Sequence, residues 1–85
     1  MAKVTIYTRA FCPYCTRAIR ILTEKGADFD EIDAGMDAAK REEMLSKSGG
    51  ARTYPQIFIG EAHIGGCDDM MALDRAGSLD GMLAS

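Results

Sequence analysis

Between Lys3 and Gly26 the spacing of apolar residues switches from a period of two to one of about 3.6, and this switch constrains the fold more than any other feature. Lys3 to Thr8 alternates as a strand does, with Val4 and Ile6 on one face and Thr5 and Tyr7 on the other. Both faces carry β-forming residues, so the strand is expected inside a sheet covered on both sides. Pro13 suits the first position of a helix, where its missing N–H is no loss. Cys15, Ile19 and Leu22 then fall on one helical face with Ala18 beside them, and Gly26 ends the helix.

The remaining residues extend this pattern. Asp28 to Asp33 holds only Phe29 and Ile32 as large apolar residues, which predicts a weaker strand. Asp37 is placed to cap a helix through Ala38, Ala39, Met44 and Leu45 to about Ser48, stopped by Gly49-Gly50. Pro55 opens a strand over Gln56 to Ile59, and Gly60-Glu61 reads as a two-residue hairpin loop of the glycine-first kind before a short strand at Ala62 to Ile64. Gly65-Gly66 breaks that strand. Asp68 and Asp69 suit the first turn of a helix carrying Met70, Met71 and Leu73, because negative charge there complements the helix dipole. Ser78 is placed to cap a last turn over Leu79, Met82 and Leu83. The order βαβαββα, with helices on both sides of a small mixed sheet, is a layered α/β domain. The chain has 85 residues, 47% hydrophobic and 27% charged, which suits one folded domain over residues 1–85 and leaves no room for a second.

A formal net charge of −3 speaks against a general affinity for nucleic acid or anionic membranes, since both select basic surfaces. No apolar run is long enough to span a bilayer and Met1 to Thr8 lacks the core of a secretory leader, so a cytoplasmic protein is expected. Three cysteines, an odd number in a reducing compartment, do not make a disulfide framework. Reactive, metal-bound or buried thiols remain.

Cys12 and Cys15 sit where strand gives way to helix. A thiol attacks only as its thiolate, and at a helix start the unpaired N–H groups and the positive dipole end stabilise such a charge on Cys12. Arg9, at the strand end, adds to that field. Cys15 lies one helical turn on, toward the core, and is expected to remain a protonated thiol until needed. The i, i+3 spacing puts the sulfurs within bridging reach, so a substrate captured by Cys12 is released by Cys15. A pair of cysteines spaced this way also reads as half of a zinc site, and Cys12, Cys15, His63 and Cys67 offer a candidate tetrad. Against it, a whole βαβα unit separates the halves, and His63 alone reads as an exposed residue of an edge hairpin.

Two further segments point to a binding surface. In Thr53-Tyr54-Pro55 the residue before proline is held extended, so Tyr54 offers a strand-like N–H and C=O; facing Cys12, these pair with a peptide-like thiol as an added strand. The competing reading is a proline that only opens an edge strand. In Gly65-Gly66-Cys67-Asp68-Asp69, small residues leading into a helix let a ligand approach the backbone and leave N–H groups for a carboxylate. Asp68 offers the opposite charge to an ammonium group. A plain helix cap competes with that reading, and Cys67 is either a packed spectator or a third reactive thiol.

Cys12-Pro13-Tyr14-Cys15 after the first strand, Thr53-Tyr54-Pro55 before the third and Gly65-Gly66-Cys67-Asp68-Asp69 before the third helix together resemble the dithiol glutaredoxins of the bacterial glutaredoxin 3 type, in order and in spacing, over nearly the whole chain. The resemblance implies a thioredoxin fold, a four-stranded mixed sheet flanked by helices, with a cis peptide before Pro55. It implies a glutathione-dependent thiol–disulfide oxidoreductase in which Cys12 attacks and Cys15 resolves, with glutathione as co-substrate and no metal. Carried over residue by residue, glutathione places its sulfur at Cys12 and its cysteinyl backbone on Tyr54, between Thr53 and Pro55. Its γ-glutamyl end meets Gly66, the Cys67 backbone and Asp68, with Tyr14 alongside, and its glycine carboxylate lies toward Arg9 and Arg52. The implied partners are glutathione and glutathionylated or disulfide-containing proteins, with the chain a monomer. Two positions depart from the family: valine is usual where Tyr54 stands, and lysine is frequent where Arg9 stands. Pairing at Tyr54 uses backbone, although the ring is expected to narrow or cover the groove; Arg9 keeps the charge and adds bidentate capacity for a carboxylate. Two other readings compete. One is a redoxin reduced by thioredoxin reductase, against which Asp68 and Arg9 argue; the other is a metal or iron–sulfur scaffold using Cys12, Cys15 and Cys67.

Overall fold

A computed structural model describes residues Met1–Ser85. The chain runs β1 (Lys3–Thr8), α1 (Pro13–Glu24), β2 (Asp28–Asp33), α2 (Ala38–Lys47), β3 (Gln56–Ile59), β4 (Ala62–Gly65), α3 (Cys67–Arg75) and α4 (Leu79–Ala84). The four strands form one sheet in the order β2-β1-β3-β4. β1 pairs in parallel with β2 and antiparallel with β3, and β3 antiparallel with β4. The parallel pair needs a crossover, which α1 supplies, whereas β3 and β4 are joined by a tight hairpin. Gly60 alone takes positive φ there, at 58°, while Glu61 does not; that is the type II′ pattern expected of a glycine-first loop.

The two-faced pattern of β1 is realised as two cores. Val4 and Ile6 pack with Ala18 and Leu22 of α1, Ile57 and Ile59 of β3, Cys67 and Met70 of α3, and Leu79 and Leu83 of α4. On the other face Tyr7 meets Ala34, Met44 of α2 and Phe58 of β3, with the Tyr7 and Phe58 rings edge to face at 5.7 Å. Fully burying a large apolar side chain contributes about 1.5–3 kcal/mol, so the ten-residue cluster under α1, α3 and α4 outweighs the four-residue one under α2. The buried Tyr7 hydroxyl donates to Glu43 of α2 at 2.5 Å. Burial first, and then that bond, push the phenol's pKa up.

Ile19 is half-buried and packs against the core beside the buried Cys15, Ala18 and Leu22 of α1, as expected. Two local expectations are corrected. The C-terminal turn is a full element, α4, so the order gains a second terminal helix. Ser78 does not cap it through its side chain, because its own backbone is already helical (φ −88°, ψ −26°) and the hydroxyl cannot reach back to the first-turn amides. Lys25 ties this corner instead, its ammonium 2.8 Å from Asp74 of α3 and 2.7 Å from Asp80 of α4.

Candidate active site

The end of β1, the start of α1, the loop before β3 and the start of α3 meet at one end of the sheet. Phe11 turns the chain out of β1 in a left-handed conformation (φ 57°), the one non-glycine residue to do so, and its side chain is fully exposed. This turn delivers Cys12 to the N-cap of α1 with extended backbone (φ −115°, ψ 102°) and Pro13 directly after it. An extended N-cap lets a side chain reach back to the first-turn amides. Cys12 Sγ accepts the N–H of Cys15 at 3.3 Å.

Cys15 lies beneath, 3% exposed. Burial first, and then its bond to Cys12, push its thiol up to about 12, while the backbone N–H and charge of Arg9 pull the other way. Two of the upward causes come from Cys12.

Tyr54 O lies 3.9 Å from Cys12 Sγ, which brings the extended backbone before Pro55 to the reactive sulfur. The Tyr54–Pro55 peptide is cis. Beside it an open groove of about 400 Å³, which Cys12 itself does not line, runs past Tyr14, Thr53, Tyr54 and Pro55 to Gly66, Cys67 and Asp68. The two arginines expected on it stand outside. Arg9 lies on the other flank, where it lines a second concavity of about 430 Å³ together with Cys12 itself, Phe11, Cys15 and Glu31. Arg52 is exposed and lines neither. The Tyr54 side chain is tethered toward the loop after β2, its hydroxyl donating to Ala34 O at 3.2 Å.

At the far end of the groove the Asp69 carboxylate accepts the Gly66 N–H at 2.9 Å. One amide that the sequence left for a ligand is therefore taken, and the first-turn amides of Cys67 and Asp68, which have no i−4 partner, remain. Cys67 is 2% exposed with Sγ 3.8 Å from Met71 Sδ. Burial is the largest cause that pushes its thiol up, as suits a packed spectator.

Gln56 and His63 also line the groove, and sequence reasoning did not place them there. Gln56 Nε2 donates to Thr53 O and Oγ1 at 2.9 and 3.1 Å, and its Oε1 lies 2.7 Å from His63 Nε2. The His63 ring stacks on Phe58 at 4.8 Å. A polar residue heading an otherwise apolar strand was the available clue to Gln56. With His63 engaged in this way, the candidate tetrad of Cys12, Cys15, His63 and Cys67 is not assembled, and no three cysteine, histidine or acidic side chains converge as a metal site.

The glutaredoxin family model matches residues 4–64. This chain belongs to the glutaredoxin family. The glutaredoxin is 55% identical to glutaredoxin 3 of Escherichia coli K12 over 83 residues, 98% of this chain and 99% of that one. It is 52% identical to glutaredoxin of Pseudomonas aeruginosa over the full length of both. Among solved structures, glutaredoxin from Brucella melitensis is 54% identical with a TM-score of 0.83, over 98% of this chain and 89% of that one. Buckwheat glutaredoxin in its complex with glutathione is 32% identical with a TM-score of 0.86, over 98% and 77%. The glutaredoxin is thus of the bacterial glutaredoxin 3 type, has the thioredoxin fold, and is a glutathione-dependent thiol–disulfide oxidoreductase.

Proposed function

We propose that Cys12 is the nucleophile and Cys15 the resolving thiol of this glutaredoxin, and that glutathione lies along the groove from Cys12 to Asp68. The observation that carries this reading is the setting of Cys12 Sγ, at the N-cap of α1 with the Cys15 N–H on one side and Tyr54 O on the other. The thiolate attacks the glutathione-side sulfur of a protein–glutathione mixed disulfide; the new Cys12–glutathione bond forms as the old bond breaks and the protein thiolate leaves to take up a proton. A second glutathione releases the first as oxidised glutathione. With a protein disulfide, Cys12 forms a mixed disulfide with the substrate and Cys15, losing its proton, displaces it by closing the Cys12–Cys15 bond, which glutathione then reduces. Glutaredoxin couples lie near about −200 to −230 mV, close enough to the cytosolic glutathione pool for this direction to run.

Tyr54 pairs with the cysteinyl backbone of glutathione, and Thr53 and Pro55 hold it extended. Gly66, Cys67 and Asp68 receive the γ-glutamyl end, Tyr14 flanks it, and Arg9 draws the glycine carboxylate. The protein acts as a monomer in the cytoplasm on glutathionylated and disulfide-containing proteins. Turnover coupled to glutathione and glutathione reductase tests the assignment. Cys12→Ser is expected to lose all activity, and Cys15→Ser to keep deglutathionylation while losing reduction of protein disulfides. An active Cys12→Ser protein overturns the choice of nucleophile.

A further inference from the structure

We propose that Tyr54 is a specificity-determining positioning residue: its ring holds the Arg9 guanidinium in place to receive the carboxylate that follows the sulfur-bearing residue of the substrate. This rests on the reading above, in which the glycine carboxylate of glutathione lies toward Arg9.

Arg9 is exposed and takes part in none of the ion pairs of the chain, which are made by Lys3 and Lys25. A free arginine at the end of a strand samples many rotamers, and ordering it on a ligand costs entropy. Here the side chain is restricted beforehand. Its Cζ lies 5.8 Å from the centroid of the Tyr54 ring, within cation–π range. Its stem rests against Gly35, so closely that a Cβ at that position would stand 2.7 Å from Arg9 Cβ. The Tyr54 ring is itself tethered by its hydroxyl to Ala34 O. Ala34 N–H is bound to Thr8 O at 2.8 Å, and Gly35 O accepts from Arg41 of α2 at 2.8 Å. The platform under Arg9 is thus tied to both β1 and α2.

A cation–π contact uses up none of the guanidinium's N–H groups as hydrogen-bond donors, and these are the donors that grip a carboxylate with two bonds. The same residue that pairs through its backbone with the cysteinyl unit therefore aims, through its ring, the cation that meets the next residue along. The favoured substrates are thiols in which a free C-terminal carboxylate stands one residue beyond the cysteine, and blocked or internal peptides lose the contact.

The test uses the exchange equilibrium at Cys12 in a Cys15→Ser background, with oxidised glutathione and with its glycine ethyl diester as probes. Tyr54→Val is expected to lower formation of the Cys12 mixed disulfide by about two- to fivefold with the acid and by distinctly less with the ester. Tyr54→Phe, which keeps the stacking face and loses only the bond to Ala34, is expected to fall between, and it supplies the same comparison should Tyr54→Val not fold. On top of Arg9→Ala, Tyr54→Val is expected to have no effect with the acid. An equal loss with acid and ester, or additive losses from the two substitutions, overturns the proposal and leaves Tyr54 as a wall of the groove. An Arg9→Ala protein that exchanges normally with the acid also overturns it, and shows that the placement of the carboxylate was at fault while the assignment of Cys12 stands.

Discussion

Gly65 is expected to be among the least replaceable residues of the groove, and the cost of Gly65→Ala follows from the geometry. Gly65 sits at φ 113°, and a Cβ there would collide with the carboxylate of Asp69, its Cγ at 2.9 Å included. That carboxylate holds the Gly66 N–H at the start of α3. A positive φ costs a residue with a Cβ about 1–2 kcal/mol, and loss of a helix cap about 1 kcal/mol. The sum is about 2–3 kcal/mol, or on the order of 10 °C in melting temperature for a domain of this size. Urea unfolding followed by circular dichroism measures it, with the slope of the transition checked for constancy. Asp69→Ala alone removes the cap without the strain and is expected to lose about 1 kcal/mol. The double variant is expected to lose no more than Gly65→Ala by itself, because the collision has already displaced the carboxylate. Gly65→Ala within about 0.5 kcal/mol of the parent, or strictly additive losses, would refute the collision.

Asp68→Asn is expected to raise the glutathione concentration needed by about tenfold, taking a bond to a charged group at the low end of about 1.5–3 kcal/mol for this exposed side chain; a disulfide substrate lacking the γ-glutamyl ammonium should react almost normally, and equal losses with both substrates would show that the carboxylate holds the fold. Cys67→Ser should leave turnover with glutathione largely intact, and a loss as deep as that of Cys12→Ser would make Cys67 a redox centre. Stability should fall as pH rises between about 9 and 12, because Cys15 is raised from an ordinary 9.0 to about 12. In that window the unfolded chain has released a proton the folded chain still holds, so alkali favours unfolding. The raised pKa values of Tyr7 and Cys67 act in the same direction. Denaturation at several alkaline pH values should show this decline in the parent and a shallower one in Cys15→Ser; equal declines would refute the assignment to Cys15.

Elements governed by local pattern were legible in the sequence. The two-sided alternation of β1, the proline start of α1, the Asp37 cap, whose carboxylate accepts the Lys40 N–H at 3.1 Å, and the Gly60 hairpin all stand where the residues put them. β2 was weak to read because it lies at the sheet edge, where only Phe29 and Ile32 are half-buried and little alternation is required. Placement across the fold was not legible. Whether His63 meets Gln56 depends on the β3–β4 register, and a bulge at Ile57/Phe58 shifts it. Whether Arg9 meets Tyr54 depends on how the loops after β1 and before β3 come together, which no spacing within either segment encodes. The groove expected around Cys12 took in Thr53 to Pro55 and Gly66 to Asp68, whose backbones are fixed by proline and glycine, whereas Arg52 is a long side chain with nothing local to hold it and stands apart.

The hydrogen bond from the Ala2 N–H to Leu83 O, at 3.0 Å, brings residues next to the two chain ends together, and β1 runs from that meeting point to the opposite end of the sheet, where Cys12 lies. The domain therefore has a handle and a working tip. Spliced by both ends into a loop of a host protein, it would hang from adjacent anchor points as a pendant redox cassette, its dithiol facing away from the host.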